Sequence, residues 1–434
     1  MSFDDAKFDT RAIHFGYEPE PTTGARQVPI YQTSAYVFPD SDEAANRFAL
    51  KNFGHIYTRT DNPTNKVLED RLASLEGGVG AVVTSSGIAA QTLAFMSLMG
   101  PGDHAVVSTR LYGGSTNQWR NTFPVHFGWE ASFVDITDLA AVEAAITEKT
   151  KFIYAESIAN PSAIVSDIEG LSAIAKRHNI PLIIDNTVAT PYLCQPFKWG
   201  ADIVVHSTTK FLNGNCTALG GAVISAGSFD FKGNDKFPAL SKPDATYNGI
   251  TFAEEFGEMA YTVHNLAIGL RDIGPCQSPM NAFLTLNGIE TLSLRMDRHA
   301  ENGQKVAEYL QQHPQVEWVS YPGLADNAQY EMAKKYLPKG CGSVFSFGVK
   351  GGFEAGKTVV ESLKLFSMLA NIGDTRSLMI HPASTTHSQL DAEQSASAGI
   401  GPEMLRISVG IEDIDDILAD LDQALNAAAS KAAA

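Results

Sequence analysis

The sequence is poor in the features that define several large protein classes. Its four cysteines, Cys194, Cys216, Cys276 and Cys341, are widely spaced with no C-x-x-C pair among 434 residues, which argues against a disulfide framework or a zinc knuckle. None of its eleven histidines falls in an H-E-x-x-H pattern, so no metal is expected. There is no basic run, and the net charge of −17 speaks against nucleic acid or an anionic membrane as a partner. No apolar stretch approaches a membrane span, and the acidic start Met1-Ser-Phe-Asp-Asp-Ala-Lys7 lacks the apolar core of a secretory signal. A cytoplasmic location is therefore expected. Neither a Walker loop nor G-x-G-x-x-G is present, which leaves nucleotide binding unsupported, and no internal repeat occurs.

What is present suggests two or three structural units. Residues 1–60, with Glu18-Pro-Glu-Pro21 and Phe38-Pro-Asp40, have little periodicity and read as an extended arm that needs another surface to cover. Residues 61–275 alternate strand and helix patterns from Ala81 onward, as a mainly parallel sheet covered on both faces does. Within them, an irregular insertion from about 227 to 265 reads as lying near a site mouth. Residues 276–434 begin with a long helical pattern from Pro279 to Leu310 and continue as a smaller α+β unit, with strands in Gly342–Val349 and Leu405–Val409.

Chemistry concentrates where apolar strands run out. Ala201–Val205 ends in His206-Ser207-Thr208-Thr209-Lys210. A lysine there is desolvated unless paired, which lowers its pKa and makes it a nucleophile toward aldehydes; the alternative is a packed stem with its ammonium in water. Asp185 ends Ile180–Ile184 and should face the same crevice, because ligands of open α/β sheets bind at the carboxyl ends of strands. An Asp–Lys ion pair is the plainer reading of those two. Ser86, Gly87 and Ile88 open a helix whose free N–H groups suit a phosphate. Tyr112, before Gly113-Gly114, is an aromatic wall or a core tyrosine. Together these features ask for one ligand with an aldehyde, a phosphate, an aromatic ring and a basic ring nitrogen. Pyridoxal 5′-phosphate (PLP) has all four. Lys210 would tether it, Asp185 would face its ring nitrogen, Tyr112 would stack on its ring, and Ser86, Gly87, Ile88, Ser207 and Thr209 would hold its phosphate.

The motifs Tyr57-x-Arg59-x-x-Asn62-Pro63-Thr64, Ser85-Ser86-Gly87, Asp185-Asn186-Thr187 with Ala189-Thr-Pro-Tyr192, and Ser207-x-Thr209-Lys210 resemble those of the cystathionine γ-synthase family of fold-type-I PLP enzymes. The resemblance covers nearly the whole chain. It implies an α/β transferase with a large, mainly parallel sheet domain and a smaller C-terminal α+β domain. It implies too that Tyr57 and Arg59 reach the phosphate in a neighbouring subunit, which makes a homodimer the minimum active unit and a homotetramer the expected assembly. Arg406 matches the arginine that grips the substrate α-carboxylate, Asn160 a residue beside the cofactor hydroxyl and that carboxylate, and Ser384, in His381–His387, the loop next to that arginine. Lys210, Tyr112 and Tyr57 are the residues expected to act in catalysis.

Asn371, where several lyases of the family have serine, and Gly114, where methionine γ-lyase has cysteine, argue against a lyase. The insertion, Asn371–Asp374 and Ser384–Gln389 resemble the sulfhydrylase branch. That branch implies γ-replacement on O-acetylhomoserine, an amino acid ester, with sulfide or methanethiol as the second substrate. Cystathionine γ-synthase or methionine γ-lyase chemistry is the alternative, and a non-catalytic PLP-binding protein is disfavoured because Lys210, Asp185 and Arg406 are all present.

Overall fold

Apolar runs of the first half pair into one seven-stranded sheet, seen in a computed structural model that describes residues 3, 5–385, 399 and 401–432. Its strands are β1 (Gly80–Thr84), β2 (His104–Ser108), β3 (Glu130–Val134), β4 (Thr150–Glu156), β5 (Leu182–Asp185), β6 (Ile203–His206) and β7 (Gly221–Ser225), in the spatial order β1-β7-β6-β5-β4-β2-β3. All neighbours are parallel except β7, which runs antiparallel to β6 and β1. Alternate residues of each strand enter two different cores. Ile153, Ile184 and Val204 pack on one side of the sheet, and Tyr154, Ile183 and Val205 on the other. Burial on both faces is why these strands read as near-continuous apolar runs rather than as an alternation.

A second sheet has the order β10-β11-β12-β9-β8 and is built from β8 (Val316–Ser320), β9 (Val344–Val349), β10 (Ser367–Met368), β11 (Leu378–Ile380) and β12 (Met404–Ser408). Only the β10–β11 pair is parallel. The helices Gly352–Ser362 and Ile414–Ala432 pack against each other beside it.

Two expectations need correction. The pattern from Pro279 to Leu310 is not one helix but two, Pro279–Ile289 and Leu292–Gln312. Arg295 holds the break, donating 2.7 Å bonds to the carbonyls of Gly288 and Phe211 and so satisfying the end of the first helix. The segment from 227 to 265, expected as an irregular insertion near a site mouth, contributes no residue to the lining of the Lys210 cavity. Its Phe231, Phe237, Leu240 and Phe252 are buried in a core beneath the large sheet, and it continues into helical turns through Ile273. The arm, for its part, carries short helices at Phe8–His14 and Ser41–Phe48 and leaves Val37, Phe48, Phe53 and Tyr57 exposed.

Candidate active site

Parallel strands bring their carboxyl ends to one edge, and there a cavity of about 170 Å³ opens toward the smaller sheet. The turn after β1 supplies Ser86, Gly87 and Ile88; the loop after β2, Tyr112; the end of β4 and its loop, Glu156 and Asn160; β5, Asp185; the turn after β6, Ser207, Thr209 and Lys210. The smaller sheet contributes Arg406 from β12 and Asn371 from the β10–β11 connection. Eleven of the fourteen residues singled out from the sequence therefore line one cavity.

Lys210 is desolvated there and stands near a like charge. Burial, and then the nearby Arg406 guanidinium, lower its pKa from the usual lysine value, while its Nζ donates a short hydrogen bond to Asn371 Oδ1. The same asparagine gives its backbone carbonyl to Arg406 Nη2 at 3.0 Å and donates Nδ2 to Cys216 Sγ at 2.7 Å. Arg406 has no acidic partner within ion-pair distance among the described residues, and burial pushes its pKa down to about 10. Asp185 forms no ion pair with Lys210 either. Its Oδ2 accepts from Gln91 Nε2 at 3.0 Å and its Oδ1 from the Thr187 N–H at 3.0 Å. Gln91 is oriented in turn by Ser115, whose hydroxyl donates to Gln91 Oε1 at 2.8 Å.

Ser86 caps the helix Gly87–Met96, its Oγ accepting from the Ala89 N–H at 3.2 Å. The first N–H groups of that helix have no intrahelical acceptor and point to the cavity end. Gly87 is required: a Cβ there would lie 2.6 Å from Ser207 Cβ and 2.9 Å from Ser207 Cα. The helix start and the Ser207 turn thus close on each other as a cradle. Thr209 Oγ1 meets the backbone of Gly220, accepting its N–H at 3.0 Å. Tyr112 is about half exposed and lines the cavity, and a Cβ at Gly114 would come within 2.5 Å of its ring in the present rotamer, so the ring would have to shift. Asn160 Oδ1 is buried without a partner. A helix-start cradle, a buried carboxylate, an open aromatic face, an orphaned amide oxygen and a desolvated amine together fit PLP.

Three predicted residues lie outside this cavity. Tyr57 and Arg59, the guanidinium 5.3 Å from the tyrosine ring centroid, line a larger one of about 920 Å³ with Phe256 and Met259. Ser384 Oγ meets His381 Nδ1 at 3.0 Å and is not among the cavity's lining residues, and residues 386–389 of its loop lie outside the described ones. Sequence reasoning missed others. Gln91, a polar residue in a mostly apolar helix, and Glu156, the polar end of an apolar strand, were readable signals. His206 and Glu76, fully buried and 2.6 Å apart, were not singled out at all, though with Asn186 they tie together the strands that carry Asp185 and Lys210.

The chain belongs to the family of PLP-dependent enzymes of cysteine and methionine metabolism, whose sequence model matches residues 9–426. It adopts the fold-type-I architecture, and PLP is its cofactor. Among its relatives, an O-acetyl-L-homoserine sulfhydrylase of Leptospira meyeri is 50% identical over 428 residues, covering 96% of each chain. O-acetyl-L-homoserine sulfhydrylase 1 of Thermus thermophilus is 47% identical over 421 residues, 96% of this chain and 100% of the relative. A crystal structure of a candidate O-acetylhomoserine (thiol)-lyase from Campylobacter jejuni, containing N′-pyridoxyl-lysine-5′-monophosphate, superposes with a TM-score of 0.94. It is 42% identical and covers 97% of this chain and 100% of that one.

Proposed function

We propose that the protein catalyses γ-replacement on O-acetylhomoserine with sulfide or methanethiol, giving homocysteine or methionine and acetate. The observation that carries this reading is the pairing, across one cavity, of a desolvated Lys210 with an Arg406 that lacks an acidic partner among the described residues. An amino acid brings the α-carboxylate that Arg406 needs, in the bidentate geometry a guanidinium favours. When bound, PLP supplies an aldehyde that captures amines and a ring that accepts electrons. Lys210 Nζ, its pKa lowered by burial and then by Arg406, would tether the cofactor and, once released, take the Cα proton. Asp185, fixed by Gln91 and the Thr187 N–H, would face the ring nitrogen and keep its proton in place. Tyr112 would cover the ring face, Asn160 would face the cofactor hydroxyl, and Ser86, Gly87, Ile88, Ser207 and Thr209 would receive the phosphate.

Tyr57 and Arg59 serve the site of a second copy of the chain, which is supported by their position away from their own chain's cavity, on an arm with exposed apolar residues. A dimer is then the minimum active unit and a tetramer the expected assembly. Asn371 lines the cavity beside Arg406 and would meet the substrate, while Ser384, outside the cavity, would act only through the His381 loop next to that arginine.

The test is acetate release from a panel of O-acyl homoserines with and without sulfide or methanethiol. Thiol-dependent acetate release from the acetyl ester supports the proposal. Ammonia released without a thiol would instead identify a lyase, and preference for a succinyl or phosphoryl ester would overturn the acetyl assignment.

A further inference from the structure

Glu156, the last residue of β4, is 5% exposed and divides its two oxygens between two loops. Oε1 accepts the Tyr112 N–H at 2.5 Å, from the loop after β2, and Oε2 accepts the Asn160 N–H at 2.9 Å, from the loop after its own strand. The parallel register sets Glu156 directly beside Asp185, so both carboxyls stand on the same face at adjacent strand ends. This is a costly arrangement. Burial, and then the charge of Asp185, push the Glu156 carboxyl up to about 8 against the opposing pull of the two N–H donors. A side chain with a single acceptor oxygen could close only one of the two loops. Two acceptors on one planar group are what a carboxylate adds, since glutamine offers a single oxygen and would turn an N–H donor toward the other amide.

We propose that Glu156 is a positioning residue of the cofactor site: it ties the Tyr112 loop and the Asn160 loop to the strand end next to Asp185, holding the aromatic wall and the buried amide in place for PLP. This rests on the reading of Tyr112 and Asn160 given above. Glu156 acts through those two residues and not on the reacting atoms.

The experiment is a PLP titration of holoenzyme that has been stripped of cofactor, followed by absorbance, for wild type, Glu156→Gln, Tyr112→Ala and the double variant. Glu156→Gln leaves one buried N–H opposed by a donor, a loss that corresponds to about a tenfold or greater rise in the PLP dissociation constant. Because part of that effect passes through the Tyr112 ring, it shrinks severalfold in the Tyr112→Ala background. Equal effects in both backgrounds would show that Glu156 only supports the fold, and an unchanged affinity in Glu156→Gln would overturn the proposal by itself. If wild type fails to rebind PLP, the functional reading falls and takes this inference with it. Should Glu156→Gln not fold, Glu156→Asp, which keeps both oxygens on a shorter stem, takes its place in the same cycle, with the same outcomes deciding.

Discussion

Replacing Arg406 by alanine should move substrate binding and protein stability in different directions. The guanidinium is part-buried on β12, donates one 3.0 Å hydrogen bond to the Asn371 carbonyl, and has no acidic partner within ion-pair distance among the described residues. Burial pushes its pKa down to about 10, so it still carries its charge at neutral pH. Truncating one member of a buried, hydrogen-bonded charge pair costs about 2–5 kcal/mol. At about 1.4 kcal/mol per tenfold, KM for the amino acid should rise roughly 30-fold to a few thousand-fold. Without substrate the sign differs, because an unpaired buried cation carries a desolvation penalty that alanine removes. The unfolding midpoint of Arg406→Ala should therefore equal or exceed that of wild type. Arg406→Lys, which keeps the charge and loses the planar fork, should fall between the two in KM. Steady-state acetate release and thermal melts of the same preparations measure both quantities. A KM within twofold of wild type would remove Arg406 from the carboxylate site, and a large drop in stability would show that it serves the fold instead.

Lys210→Ala should abolish turnover and the visible absorption of the bound cofactor; a variant that keeps both would defeat its assignment as tether and base. Gly87→Ala forces a Cβ to within 2.6 Å of Ser207 Cβ and 2.9 Å of its Cα, so the cradle must open, at roughly 1–3 kcal/mol. Urea unfolding and PLP titration should both register it, and no change in either would disprove the close-approach argument. Acid should destabilise the chain through His264 and His299, buried imidazoles whose pKa values burial lowers from 6.5 to about 4. The unfolded chain binds more protons between those values, so stability is full above pH 6.5 and is lost as pH falls toward 4, by on the order of 3 kcal/mol for each histidine. A His264→Asn/His299→Asn variant should flatten that slope in urea titrations at pH 7 and pH 4.5; an unchanged slope would assign the acid sensitivity elsewhere.

How much of this could be read beforehand depended on where the physical signal lay. Strands buried on both faces and ended by a polar residue leave a local mark, which is why β5 and β6 and the residues closing them, Asp185 and Lys210, were legible. Strand β3 at the sheet edge begins with an exposed Glu130, and its remaining residues are only half-buried, so its pattern did not stand out. Partners set by spatial order are less visible still. Asp185 and Lys210 were open to reading as an ion pair; in the structure Gln91, 94 residues earlier, takes the carboxylate and Asn371, 161 residues later, takes the amine. That exchange of partners has a chemical consequence. An Asp185–Lys210 pair would stabilise the ammonium and raise the lysine pKa, whereas a neutral amide beside Lys210 and a cation nearby leave its amine easier to deprotonate. The groups that keep the two charges apart, Gln91 and Asn371, are therefore as necessary to the site's chemistry as the two residues that the strand ends announce.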